Sequence, residues 1–307
     1  MHEIPEELKD FRNFLYLTWK HLGLPDPTPV QYDIADYLQH GPRRRMVQAF
    51  RGVGKSWITS AFGLWNLYMD PDTKILVVSA SKSRADDFSS FCHRLIREMP
   101  VLQHLAPDEG QRSSKIAWDV GPARAAHSPS CKSVGITGQL TGSRANLIIA
   151  DDVEVPGNSA TVGARSKLAE STKEFEAIIV PDTGEIVYLG TPQSQESIYN
   201  ELPERGYDVR VYPARVPEDP GVYGGRLAAY VSSLDGEAGQ PTDPDRFSDE
   251  ELIEREASYG RTGFLLQYQL DVRLSDLSRH PLRLTDLIVM DCDSEVAPER
   301  VVWQSSD

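Results

Sequence analysis

The sequence predicts an α/β fold built on a mostly parallel central sheet flanked by helices, and three observations carry that expectation. Met46-Val47 leads through Gln48-Ala49-Phe50-Arg51-Gly52-Val53-Gly54 into Lys55-Ser56, and residues 57–68 follow with the composition of a buried helix. Leu147-Ile148-Ile149-Ala150 is a continuous apolar run that ends in Asp151-Asp152-Val153-Glu154. Short runs of this kind, apolar at every position, suit strands covered on both faces, as parallel strands are. Strand-like and helix-like segments also alternate along residues 1–213, the order that yields parallel pairing.

The first stretch reads as strand, glycine turn and helix, which together form a phosphate cradle. Backbone N–H groups of Gly52, Val53, Gly54, Lys55, Ser56 and Trp57 lie where a helix begins, and the positive end of its dipole draws an anion. Lys55 would reach the β- and γ-phosphates, and the Ser56 hydroxyl would ligate Mg2+. One position departs from the consensus: its leading glycine is Ala49 here. In the second stretch, carboxylates follow a strand where its C-terminal end meets a ligand crevice. Asp151 is the natural Mg2+-associated carboxylate. A neighbour would orient or deprotonate the attacking water. Position favours Asp152 for that task, and the longer arm of Glu154 also permits it. Paired, the two stretches read as the Walker A and Walker B elements of a P-loop NTPase of the RecA-like, ASCE type, with ATP and Mg2+ as its ligands.

With 307 residues, 40% of them hydrophobic and 25% charged, the chain has the composition of a globular protein with a large core. No run approaches the roughly 18 apolar residues of a membrane helix, and the acidic start Met1-His2-Glu3-Ile4-Pro5 does not read as a signal peptide. Cys92, Cys131 and Cys292 are far apart, as reduced thiols would be, and form no disulfide frame or zinc pattern. A net charge of −14, from 32 Lys and Arg against 46 Asp and Glu, argues against coating nucleic acid over the whole surface. A local basic lining remains compatible with it, because net charge averages over every face.

In chain order, residues 6–22 place Leu8, Phe11, Leu15 and Trp19 at three- and four-residue spacing, an amphipathic helix. Residues 30–38 form a second, short one. There Gln31 offers a donor and an acceptor to an adenine edge, or is simply a polar helix-start residue. Beyond the cradle, 74–80 read as a buried strand, 81–85 as a loop carrying Lys82 and Arg84, and 86–99 as a helix. Residues 101–130 are loop-rich with a strand near 116–120, and 132–137 suit another. The loop 138–144 carries Arg144. After the acidic strand come a charged helix, 160–177, and a strand, 185–189. The latter ends in Gly190-Thr191-Pro192-Gln193, where Thr191 is placed to sense a γ-phosphate. Residues 208–212 make the last core strand. Composition then shifts to Pro, Gly, Asp and Ser over 217–249, a surface excursion, before helices at 248–256 and 261–270. The expected division is an ATPase core at 1–213, a small lid subdomain at 214–280 and a linker at 281–307.

With cradle, acidic strand end and Gly-Thr-Pro turn in this order, the chain resembles the ATPase domain of a tailed-phage large terminase subunit, of the DNA maturase B type found in short-tailed phages. The segments that carry the resemblance are 48–56, 147–154, 189–192 and 264–268, which span most of the chain. The resemblance implies an ATP-driven motor that moves double-stranded DNA into a preformed capsid. It assigns Gln31 to adenine recognition, Arg51 to nucleotide sensing and Gly190-Thr191-Pro192 to coupling hydrolysis with movement. It makes Arg144 a candidate arginine finger supplied to a neighbouring subunit. A ring-shaped homo-oligomer follows, a pentamer on the procapsid, with the portal protein and the small terminase subunit as further partners, in the host cytoplasm at the portal and away from membranes. The family also carries a nuclease after the ATPase, toward which 281–307 would lead. Asp286, Asp291, Asp293 and Glu295 read as solvated linker charge, so no DNA cleavage is expected of this chain.

Two other enzyme classes share the nucleotide motifs. A helicase-type remodelling enzyme needs a second RecA-like lobe with its own arginine, which the residues after Pro213 do not supply. A small-molecule phosphotransferase needs an acceptor pocket and no response to DNA. A non-catalytic nucleotide scaffold is disfavoured by the carboxylates after Ile149.

Overall fold

The computed structural model describes residues 3–273 apart from Thr141, Gln195 and Asp235. The expected linker, its acidic residues and Cys292 lie outside the described residues, as do 274–280 of the expected lid.

Asp10 caps helix α1 (Phe11–His21) by accepting from the Arg12 N–H, so the predicted first helix begins here, after a 3-10 turn at Glu6–Lys9. Helix α2 (Pro29–His40) opens with Pro29 and a capping box between Thr28 and Gln31. Strand β1 (Arg44–Ala49) runs into α3 (Lys55–Met69), and β2 (Ile75–Ser79) into α4 (Lys82–Glu98). The Ser81 hydroxyl accepts from the Arg84 N–H and starts α4 several residues earlier than expected. Lys82 and Arg84 therefore stand on its first turn and not in a loop. Next come β3 (Ala117–Trp118), β4 (Cys131–Gly135), β5 (Leu147–Asp151), α5 (Pro156–Ser159), α6 (Val162–Ile178) and β6 (Glu185–Gly190). The chain continues through α7 (Ile198–Glu201), β7 (Asp208–Tyr212), α8 (Ala229–Ser232) and α9 (Asp249–Gln267).

The strands form one sheet in the order β3-β4-β2-β5-β6-β1-β7. Every pairing is parallel except β3 on β4. The central strands β1, β2, β5 and β6 are buried along almost their whole length because they feed two cores. Ile75 and Val77 face the layer of α1 to α4, whereas Leu76 and Val78 face the layer of α6 and α7. Register then aligns the strand ends: Asp151 pairs with Ser79 on one side and Leu189 on the other, and Gly190 pairs with Gln48. The turns after β1, β2, β5 and β6 open along one edge, the C-terminal edge where ligands of α/β sheets bind. Cys92 and Cys131 are free and buried, and burial pushes the Cys92 thiol up to about 12 and raises that of Cys131 as well.

The Pro- and Gly-rich stretch after Pro213 departs from the expected surface excursion. It buries Tyr223, Ala228, Val231, Thr242, Asp243 and Phe247. Backbone bonds tie it down, from the Ala214 N–H to the Tyr268 carbonyl (2.8 Å) and from the Thr242 N–H to the Ala214 carbonyl (2.9 Å). The two predicted C-terminal helices meet at a kink at Gly260 within α9, and Ser248 and Glu251 form the capping box at its start. Among the described residues no helix is long and apolar enough to cross a membrane.

Candidate active site

The turn between β1 and α3 is shaped by two left-handed glycines, Gly52 at φ 98° and Gly54 at φ 95°. A Cβ at Gly52 would lie 2.7 Å from the Phe247 ring, and one at Gly54 would lie 3.2 Å from the Gln31 amide nitrogen. Ala49, where the consensus has glycine, is the last residue of β1 with its methyl in the core, so its extended backbone does not call for glycine. Gly54 caps α3 and, as glycine, brings no side chain to accept from the helix start. That leaves the helix end open to an anion.

Lys55 is buried, and its Nζ donates to the carbonyls of Ala49 (2.6 Å) and Phe50 (3.2 Å). Burial lowers its pKa, opposed by the carboxylates of Asp152 and Asp151. The Ser56 hydroxyl donates to the Asp151 carboxylate at 3.0 and 3.2 Å, across the sheet edge. Burial and the adjacent Asp152 push Asp151 up to about 6, against the lowering effects of Ser56, Lys55 and Arg84. A hydroxyl and a carboxylate held together in this way suit Mg2+, which keeps several waters and needs only one or two protein oxygens beside the phosphates.

The two candidate catalytic carboxylates stand in different surroundings. Asp152 takes a left-handed backbone, φ 45°, while its N–H still donates to the Leu189 carbonyl (2.9 Å). That turn leaves its side chain on the wall of the cleft, partly exposed. Glu154 is 1% exposed, and its two oxygens accept the N–H groups of Gln193 (3.0 Å) and Ile198 (2.8 Å). Its own N–H donates to the Tyr199 hydroxyl (3.0 Å). Burial raises the pKa of Glu154 while those amides lower it. Glu154 thereby fastens the segment after β6, including the Thr191 turn, to the acidic loop after β5.

Gly52, Gly54, Lys55, Ser56, Asp152 and Glu154 line one cleft of about 580 Å³, together with Arg51, Trp57, Arg84 and Thr191, while Asp151 lines an adjoining cavity that shares Ser56 and Asp152 with it. Thr191 is nearly buried, and its carbonyl accepts from the Gln193 side chain (2.9 Å). Trp57 is half-exposed beside Phe91, with ring centroids 5.4 Å apart. The Arg51 side chain is exposed, while its N–H donates to the Gln267 carbonyl (3.0 Å). Val53 is buried, and its carbonyl accepts from Gln31 Nε2 (2.8 Å). Gln31 Oε1 accepts the Thr28 N–H (3.1 Å), so the amide closes the capping box and braces the cradle. Arg144 is not brought to this cleft. It lies exposed before β5, at the opposite end of that strand from Asp151, beside Arg112 and Lys132 in a second cavity of about 220 Å³.

Sequence reasoning did not anticipate the wall that the C-terminal segment supplies. Arg246, Tyr259 and Gln267 line the cleft, and Arg246 Nε donates to the Gly52 carbonyl (2.8 Å). No local motif marks Arg246 or Tyr259, whereas Gln267 falls within the 264–268 segment that carries the resemblance. The capping box at Ser248 was a further signal, showing that ordered structure resumes directly after Phe247.

No protein-family model matches the chain. It is 51% identical over 305 residues to the large terminase subunit of Enterobacteria phage T3, covering 96% of this chain and 52% of that protein. The chain thus spans about half the length of the curated relative it matches. The large terminase of bacteriophage HK97 has a similar fold, with a TM-score of 0.54 at 15% identity over 86% of this chain and 54% of that one.

Proposed function

We propose, since this chain belongs to the large terminase subunits over the length it shares with them, that it is the ATP-hydrolysing motor part of a viral DNA-packaging machine. The observation that carries the reading is the Ser56 hydroxyl lying on the Asp151 carboxylate at the end of the glycine cradle, with Lys55 beneath and Asp152 beside it.

The cradle N–H groups and Lys55 would hold the phosphates of ATP. Ser56 and Asp151 would hold Mg2+, which when bound offsets the charge on the transferred phosphoryl group. Asp152 would orient a water in line with the γ-phosphate and take its proton, as the new O–P bond forms and the bond to the ADP oxygen breaks. Glu154, with both oxygens engaged, would act by positioning Thr191, through which phosphate loss reaches the segment after β6. Arg51 and Arg84 would add positive charge along the cleft. Arg144 would serve a neighbouring subunit, an arrangement supported by its distance along β5 from its own carboxylates. On this reading residues 1–213 are the motor core and 214–280 a lid. The partners are double-stranded DNA, further copies of the chain in a ring, the portal protein and the small terminase subunit, at the procapsid portal in the host cytoplasm. DNA cleavage is not part of the proposed activity.

The test is ATPase rate against protein concentration, with and without DNA. A rate per subunit that climbs steeply with concentration is expected. Arg144→Ala and Asp152→Ala subunits, each inactive alone, should partly restore turnover when mixed, because each supplies what the other lacks. A concentration-independent rate and no recovery in mixtures would remove the shared-site reading.

A further inference from the structure

The acidic bend after β5 is pinned at each of its three residues. Asp152 takes its left-handed backbone while its N–H donates to the Leu189 carbonyl (2.9 Å), and Val153 is fully buried. The Glu154 N–H donates to the Tyr199 hydroxyl (3.0 Å). A residue other than glycine at φ 45° persists only where its surroundings over-determine it. The direction in which the Asp152 carboxylate leaves the bend therefore depends on these pins.

Tyr199 reaches the bend from the neighbouring strand. The chain leaves β6 at Gly190 and enters α7, where the Ser197 side chain accepts the Tyr199 N–H (3.2 Å). The Tyr199 ring is completely buried and lies edge-on to Tyr188, with centroids 6.5 Å apart. A Cβ at Gly190 would overlap that ring and fall 2.5 Å from its hydroxyl oxygen, so the tip of the phenol rests against the last residue of β6. One oxygen thus bridges the ends of two neighbouring strands. Burial and the carboxylates of Asp152 and Glu154 raise the pKa of the phenol well above its usual value, so it keeps its proton and stays a neutral acceptor.

The Glu154 side chain joins the same two strand ends through the Gln193 and Ile198 N–H groups, so they stay connected without the Tyr199 bond. What the hydroxyl adds is control of the peptide between Val153 and Glu154, which closes the bend. We propose that Tyr199 is a positioning residue for hydrolysis: its hydroxyl, lodged between Gly190 and the Glu154 N–H, holds the left-handed bend that presents the Asp152 carboxylate to the cleft. This deepens the reading of Asp152 as the water-orienting carboxylate and rests on it.

The test is steady-state ATPase kinetics of Tyr199→Phe, which removes only the hydroxyl, with turnover counted per folded subunit from a melting curve. Its kcat is expected to fall about tenfold while KM for ATP stays within about twofold, the pattern of a misplaced group and not of lost binding. Tyr207→Phe is the control. Tyr207 is buried in the same layer, but its hydroxyl donates to Glu176 of α6 (3.1 Å) and not to the bend, so this variant should keep the parent's kcat. In an Asp152→Asn background, Tyr199→Phe should lower kcat no further, because the group it positions is gone. An unchanged kcat in Tyr199→Phe, an equal loss in Tyr207→Phe, or a loss that persists in full in the Asp152→Asn background overturns the inference and leaves the role of Asp152 intact. If Asp152→Asn alone turns over as the parent does, the reading of Asp152 falls and this inference with it.

Discussion

At the end of the cleft where hydrolysis is proposed, Asp151 and Thr191 stand at or just beyond the C-terminal edge of a paired strand, and the register of β2, β5, β6 and β1 sets their level. At the other end, the wall is a segment from a distant part of the chain, held to the cradle by particular contacts. Phe247 packs on Phe50 at 5.4 Å, Arg246 meets the Gly52 carbonyl, and Thr28 donates to Asp243 at 3.0 Å. The first end inherits its precision from the sheet ladder, where a shift of one residue would move many partners at once. The second depends on a few contacts, each of which a single substitution can remove. The first end should therefore respond to mutation chiefly in turnover, and the second chiefly in stability and nucleotide affinity.

Lys55→Ala tests the first half of that contrast most strongly. Removal of the cradle cation should lower the ATPase rate by roughly 10² to 10³, with a melting temperature close to that of the parent. A rate within a few-fold of the parent would break the assignment of the cradle. Gly52→Ala acts where the two ends meet. The left-handed backbone and the Phe247 ring 2.7 Å from the new methyl should together lower stability by about 2 kcal/mol, and a melting curve unchanged from the parent would show that the segment does not press on the turn.

Glu154→Gln is expected to cost about 1–2 kcal/mol, because an amide cannot accept from both the Gln193 and the Ile198 N–H. Turnover should fall with the displaced Thr191 while ADP affinity holds. Loss of turnover with no loss of stability would instead make Glu154 the catalytic carboxylate.

Asp243→Asn should have the smallest effect and a pH signature. Burial pushes Asp243 up to about 6, opposed by the Thr28 hydrogen bond and Arg246 and aided by Asp245, and its Oδ1 finds no partner among the described residues. With the folded pKa above the ordinary 3.8, the folded state holds a proton that the unfolded chain has released. Stability contributed by this group is thus full below about 4 and is lost as pH rises toward 6. The asparagine variant should gain on the parent over that window, by on the order of 1 kcal/mol after its own unpaired N–H is counted. Denaturant melts of both proteins at pH 4, 5, 6 and 7 check this, and a difference independent of pH would refute it.

Sequence alone determined the sheet strands, the cradle and the acidic strand end, because each is encoded within a few consecutive residues. Val77 and Val78 must both be apolar when a strand feeds two cores, and Gly52, Gly54, Lys55 and Ser56 form the turn into α3 through local geometry. Even the irregular Ala49 is explained locally, by its place at the end of a strand. Tertiary structure decided what rests on residues far apart in the chain. The engagement of Gln31 requires Val53, and the separation of Asp152 from Glu154 requires Gln193 and Ile198. The far wall of the cleft requires Gly52 to meet Arg246 and Phe247, nearly two hundred residues later. Periodicity and motif spacing describe what neighbours along the chain must do. Which distant side chain uses up a donor, fills the space above a glycine or faces a cleft is settled only when the layers pack.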